Sequence, residues 1–220
     1  MPKNCDNATS TSNLTGYNSS LGRVVESGCC VGCGSCAALP DSQIKMNLSS
    51  SAVLLPTIGG TGSNTKGAPP NIAAACPFTN ESANEDVLAR ELFPEAPLHS
   101  EELGRHIQCY AGRVSSNNAY SQSSSGGLCR WLLAKMIDDD VVDFVVNVRN
   151  NPDAVDQLGF EYAIQSDSKA VLEASSKSAY CPVDMSSVLK EIRKRPGRYA
   201  ITGVPCFAKA IRNLCRIDSV

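Results

Sequence analysis

Histidine is almost absent from this 220-residue chain, His99 and His106 being the only two. Neither stands in a Cys-x-x-Cys knuckle, which leaves little from which to build the usual Cys/His zinc sites. Long hydrophobic runs are missing as well. No stretch approaches the roughly 18–20 apolar residues that a membrane-spanning helix needs, and no signal-like segment precedes the cysteines. Nor is there a basic block. Lys and Arg number 20 against 22 Asp and Glu, a formal net charge of −2, so nucleic acid and anionic membranes are poor partners. The hydrophobic fraction of 42% suffices for one sizeable core or two modest ones.

What the chain does have is cysteine. There are eleven, an odd number that argues against a secreted disulfide scaffold and for a reducing cytoplasm. N-x-S/T sequons such as those at Asn7, Asn13 and Asn47 are expected by chance in so Ser- and Asn-rich a sequence. The stretch Cys29-Cys30-Val31-Gly32-Cys33-Gly34-Ser35-Cys36 sets Cys30, Cys33 and Cys36 at C-x-x-C-x-x-C spacing. Glycines between them permit positive φ and a close backbone approach. Bacterial-type ferredoxins use this run for iron–sulfur clusters, with a fourth Cys three residues on and before a Pro. Here that position is Pro40, and the next Cys-Pro pair is Cys76-Pro77. Cys76 is therefore the candidate remote ligand. A structural zinc site and a set of unrelated thiols are the alternatives, and Cys29 reads as structural because using it breaks the even spacing.

Residues 1–20 carry almost no apolar periodicity and read as a disordered tail. Short strands are expected at Ile44–Met46 and Val53–Leu55, with a Gly/Pro-rich linker at 59–71. Little core accompanies the region from 21 to about 81, so a metal would supply part of its folding energy. A helix is expected over 82–93, ended by Pro94 and Pro97. Cys109–Val114 reads as a strand. Ser124-Ser125-Gly126-Gly127 then opens a helix in which Leu128, Trp131, Leu132 and Met136 recur at helical spacing, followed by Asp138-Asp139-Asp140 and a buried strand at Val141–Val148. Strand, Gly-rich turn, helix and strand form the βαβ arrangement in which a helix N-terminus meets an anionic ligand. A plain helix start is the simpler reading of the same four residues, and the aspartates read as a solvated helix end. Further strands are expected at Phe160–Ile164 and Tyr199–Val204. Helices are expected near 170–173, over 186–195 and from Pro205 onward. Cys206 falls in the first turn of that last helix and is either a cofactor-facing thiol or a small buried hydrophobe.

In order along the chain, these blocks resemble one family, the β subunits of coenzyme F420 (8-hydroxy-5-deazaflavin) hydrogenases and dehydrogenases. The matching residues are Cys30–Ala37, Cys76-Pro77, Tyr110-Ala-Gly-Arg113, Ser124–Gly127, Ser176-Lys177-Ser-Ala-Tyr180, Arg195-Pro-Gly-Arg-Tyr-Ala200 and Gly203-Val-Pro-Cys206. Together they run from about residue 23 to 214. The resemblance implies an α/β protein with an iron–sulfur cluster-binding region at 21–81 and an α/β flavin-binding core at 82–220. It implies a 4Fe–4S cluster on Cys30, Cys33, Cys36 and Cys76. It also implies FAD at the Ser124, Ser125, Gly126 and Gly127 turn, with Lys177, Gly203, Pro205 and Cys206 lining the flavin pocket.

Implied partners are a ferredoxin-like electron donor or an F420-type acceptor, and a second subunit or a C-terminal region that completes the site. Family members continue beyond the point that matches Val220, so a fragment, a truncated paralogue or one piece of a split protein is expected. The chemistry implied is electron transfer through cluster and flavin to a two-electron acceptor, the protein mainly positioning and tuning its cofactors. A scaffold or electron-transfer subunit that holds a cluster and no flavin is the rival reading.

Overall fold

The computed structural model describes residues 14–58, 67–115, 125–151, 159–174 and 181–217. In chain order its elements are α1 (Ser19–Glu26), α2 (Ser35–Ala38), β1 (Ile44–Leu48), β2 (Leu54–Ile58), α3 (Ile72–Ala75), α4 (Glu85–Leu92), β3 (Leu98–Ser100) and β4 (Gly104–His106). After a single 3₁₀ turn at Ser125–Gly127 come α5 (Leu128–Asp138), β5 (Phe144–Asn150), β6 (Phe160–Gln165), α6 (Ser168–Ala174), α7 (Ser186–Ile192), β7 (Tyr199–Ile201) and α8 (Pro205–Ile217). The class is mixed α/β, as expected. Among the described residues no helix is long and apolar enough to cross a membrane.

The chain divides into two compact units that are not continuous in sequence. Met1–Glu85, Pro182–Lys194 and Val204–Val220 form the first, and Asp86–Cys181 with Arg195–Gly203 the second. The first unit's leading segment ends at Glu85, and α7 and α8 group with the cysteine region rather than with the second unit. Hydrogen bonds explain why. Met185 donates its N–H to the Cys33 carbonyl, Arg193 donates to the Ala38 carbonyl, and Asn213 bonds both the N–H and the C=O of Ala83.

In the first unit, β1 and β2 pair antiparallel with Ile44 opposite Ile58, as the two expected short strands suggest. The α8 helix packs on α3 and α2, and α7 packs on α2. Phe207, Ala210 and Leu214 of α8 are buried, as are Val188 and Leu189 of α7. Part of the tail expected over 1–20 is ordered. Residues 14–17 are helical, Leu14 is fully buried, and the Asn18 side chain caps α1 by accepting from the Leu21 N–H. Leu14, Leu21 and Val24 supply the apolar stripe that a purely compositional reading of so polar a stretch passes over.

In the second unit β5 lies between β6, antiparallel to it, and β7, parallel to it. Leu133 and Ala134 of α5, Val142, Val145 of β5 and Val171 of α6 make one core, with Met136, Ile137 and Ala200 against it. Leu128, Trp131 and Leu132 are exposed, so of the expected stripe Met136 turns inward, beside Leu133, Ala134 and Ile137. The strand expected at Cys109–Val114 does not form. Instead Val114 donates its N–H to the Gly126 carbonyl, which spends the backbone group on the glycine turn rather than on a ladder.

The block Arg195–Ala200 fastens β7 to the start of β5. Arg198 bonds both carboxylate oxygens of Asp143 and also reaches the Asp140 carboxylate and carbonyl. Arg195 lies 4.0 Å over the Phe144 ring, and Tyr199 stacks on that ring at 4.9 Å. A Cβ at Gly197 would come within 2.7 Å of the same ring. One of the three aspartates read as a solvated helix end is thereby a partner of Arg198, while Asp139 pairs with Lys135 on its own helix.

Candidate functional site

The first unit gathers Cys30, Cys33, Cys36 and Cys76 around one pocket, lined also by Val24, Val31, Met46, Pro56, Pro77 and Phe78. Local chemistry explains how three cysteines spaced by glycines reach it. Gly32 and Gly34 adopt left-handed φ of 68° and 79°, a conformation that costs a side-chain-bearing residue about 1 kcal/mol or more. Space is closed to a side chain too. A Cβ on Gly32 would meet the Leu54 carbonyl oxygen at 2.8 Å, and one on Gly34 would meet Asp184 Oδ1 at 2.7 Å. Gly34 precedes α2, which carries Cys36.

Cys76 arrives from 40 residues away at the C-terminal end of α3. The buried Ser35 hydroxyl donates to the Ala75 carbonyl over 2.8 Å and lies 3.4 Å from Cys33 Sγ, joining the two cysteine segments. Thr79 closes the other side by donating to the Ala73 carbonyl, while the Cys76 N–H also reaches Ala73.

Burial dominates the electrostatics. It pushes the Cys36 thiol well above its ordinary range, with the neighbouring Cys33, Cys76 and Cys30 adding to the rise. Cys76 is pushed up to about 12, chiefly by burial, against the opposing Phe78 N–H. The Cys30 and Cys33 thiols rise for the same first reason. Backbone N–H groups two residues on face three of these sulfurs: Gly32 for Cys30, Ser35 for Cys33, and Phe78 for Cys76. These donors favour thiolate and are the kind of contact that tunes a metal–sulfur site. Gathered thiols of this sort are stable together only while protonated or while shared with a cation.

Among the described residues no group of three or more His, Cys, Asp or Glu side chains converges closely enough to hold a single metal ion. A zinc ion draws its sulfurs to about 2.3 Å from one point. A four-iron cluster is held by four cysteine thiolates, each on a different iron, so its sulfurs need not meet at one point. The donor set of four thiols in an apolar pocket fits the cluster.

Cys206 also belongs to the first unit, in the first turn of α8, near enough to Cys33 that a thiolate on one would repel a thiolate on the other. Sequence periodicity gave no sign of this, since the two positions lie 173 residues apart. Pro205 opens the same helix in the first unit, whereas Gly203 belongs to the second. Cys29 is exposed.

In the second unit the glycine turn has two left-handed residues, Gly126 at φ 83° and Gly127 at φ 71°, directly before α5. A Cβ on Gly126 would come within 3.2 Å of Arg113 Cβ. The Tyr110–Arg113 block and the Ser-Ser-Gly-Gly block, which sequence reading treated separately, therefore meet. Ser124 and Lys177 lie outside the described residues, and of Ser125 only the backbone is described. Asn147, inside the apolar run of β5, escaped sequence reading although an amide among valines is visible there.

The segment 109–190 matches the family model described as coenzyme F420 hydrogenase/dehydrogenase, beta subunit N-term. That match bears out the family resemblance carried by the motifs. No curated protein matches the chain.

Proposed function

We propose that the protein is an iron–sulfur flavoprotein oxidoreductase subunit. Cys30, Cys33, Cys36 and Cys76 would hold a 4Fe–4S cluster, and the Ser124–Gly127 turn with Lys177 and Gly203 would bind FAD. The observation that carries the reading is the convergence of the four cysteines on one pocket across a 40-residue gap, fixed by the Ser35–Ala75 hydrogen bond. When bound, such cofactors supply one-electron transfer at the cluster and two-electron chemistry at the flavin. The chain's own residues do the rest. Val24 and Met46 line the pocket beside the sulfurs, and the Gly32, Ser35 and Phe78 N–H groups set how readily the thiolates hold negative charge.

The family name supports a redox role and a place in a complex with other subunits. A ferredoxin-like donor and an F420-type or other two-electron acceptor are the partners this reading calls for. In this reading Cys206 stands by the cluster rather than in the flavin pocket, since it lies in the first unit near Cys33. Anaerobic reconstitution with iron, sulfide and FAD tests the proposal. About four irons and one flavin per chain support it; a cluster with no flavin favours the scaffold reading, and one zinc with no iron overturns both.

A further inference from the structure

Among the described residues of the second unit, a buried amide finds nothing to bond. Asn147 is 3% exposed, and among the described residues neither its Oδ1 nor its Nδ2 has a hydrogen-bond partner. It interrupts the run Val145-Val146-Asn147-Val148 in β5, the middle strand of its sheet. Leaving a buried polar group unpaired costs on the order of 1–3 kcal/mol, and the flanking valines show that the strand has no need of a polar side chain for its packing.

The position is as telling as the cost. Side chains alternate along a strand, so Asn147 shares a face with Val145, which packs against α5 and α6. The helix α5 enters β5 through the short turn at 139–143, which sends its N-terminus toward the carboxyl end of the strand. Asn147 stands three residues into β5, about 10 Å along it, whereas α5 spans about 16 Å. The amide thus lies at the level of the helix's N-terminal half, on the side of the Gly126-Gly127 turn. The parallel partner β7 stops here: its last pair is Val146–Ile201, after which Thr202 donates its N–H to the Val146 carbonyl. Across the sheet Ala163 sets only a methyl group opposite. Open α/β sheets hold their ligands beyond the carboxyl ends of parallel strands.

We propose that Asn147 is a ligand-binding residue whose carboxamide pairs with the imide edge of a pyrimidinedione ring, the feature shared by flavins and 5-deazaflavins. A carboxamide presents a donor and an acceptor side by side, and an imide N–H with its adjacent carbonyl answers both. A phosphate, which only accepts, would leave Oδ1 unpaired. The inference rests on the flavin reading above and deepens it by assigning the recognition of the ring to a residue outside the glycine turn.

The test uses the full chain, reconstituted anaerobically, as wild type and as Asn147→Val and Asn147→Thr. FAD and an 8-hydroxy-5-deazaflavin are titrated separately, and melting is followed without either. The expected Asn147→Val protein melts higher than wild type and binds its flavin about tenfold more weakly or worse, with Asn147→Thr in between. The ¹⁵N resonance of the bound imide shifts between wild type and Asn147→Thr. Whichever compound loses affinity names the source. Unchanged affinity in both variants with a lower melting temperature overturns the inference alone and makes Asn147 a water-bonded structural residue. Wild type that binds neither compound overturns the flavin reading and the inference together.

Discussion

The Ser35 hydroxyl donates to the Ala75 carbonyl over 2.8 Å, tying the three-cysteine loop to the residue before Cys76. Both groups are buried, and the same hydroxyl lies 3.4 Å from Cys33 Sγ. Replacing Ser35 with Ala leaves the Ala75 carbonyl unpaired, for an expected loss of about 1–3 kcal/mol. Urea unfolding measures that loss, and iron content after reconstitution should fall with it. An unchanged midpoint and full iron would show that the tie is incidental.

Gly34 and Gly28 share a left-handed backbone but differ in surroundings. A Cβ at Gly34 would strike Asp184 at 2.7 Å and the Ser186 nitrogen at 2.9 Å, whereas at Gly28 it would meet nothing within 4 Å. Gly34→Ala should therefore cost at least about 2 kcal/mol and Gly28→Ala about 1 kcal/mol. Thermal melts of the two variants side by side check the ordering.

Asn213 is almost fully buried on α8 and bonds both backbone groups of Ala83. Asn213→Ala strands both of them and is expected to destabilise the first unit by about 2–4 kcal/mol. Hydrogen exchange at the Ala83 amide, slow in the wild type, should become fast in the variant.

Acid should loosen the second unit through Asp143. Its hydrogen bonds from the Arg198 side chain and backbone hold the carboxyl down at about 2, below the roughly 3.9 of an unfolded chain. That contribution is fully present above about pH 4 and fades as the pH falls toward 2. The group is exposed, so the effect is modest. Melting temperatures recorded from pH 5 to 2 should fall more steeply for wild type than for Asp143→Asn, and parallel curves would contradict the pairing.

The parts of this architecture set by local chemistry were legible from the sequence. Gly-spaced cysteines, the short strands β1 and β2, α5, β5 and α8 all follow from spacing, turn residues and β-branched runs. Other features depend on partners distant in sequence. Nothing near Cys109–Val114 shows that the Val114 N–H goes to Gly126, nothing near Cys206 shows that Cys33 is its neighbour, and no periodicity reveals that α7 and α8 pack with the cysteine region. The exposed Leu128, Trp131 and Leu132 mislead for a related reason: apolar spacing identifies a helix, while the sheet it meets decides which stripe turns inward.

The most direct measurement is iron and acid-labile sulfide per chain, with EPR of the reduced sample, after anaerobic reconstitution of wild type, Cys76→Ser and Cys109→Ser. Cys109 is an exposed thiol outside the pocket. About four irons in wild type and Cys109→Ser, with a lost or altered cluster in Cys76→Ser, is the predicted result. Equal iron and identical spectra in all three proteins, or no cluster in any, would contradict the four-cysteine site.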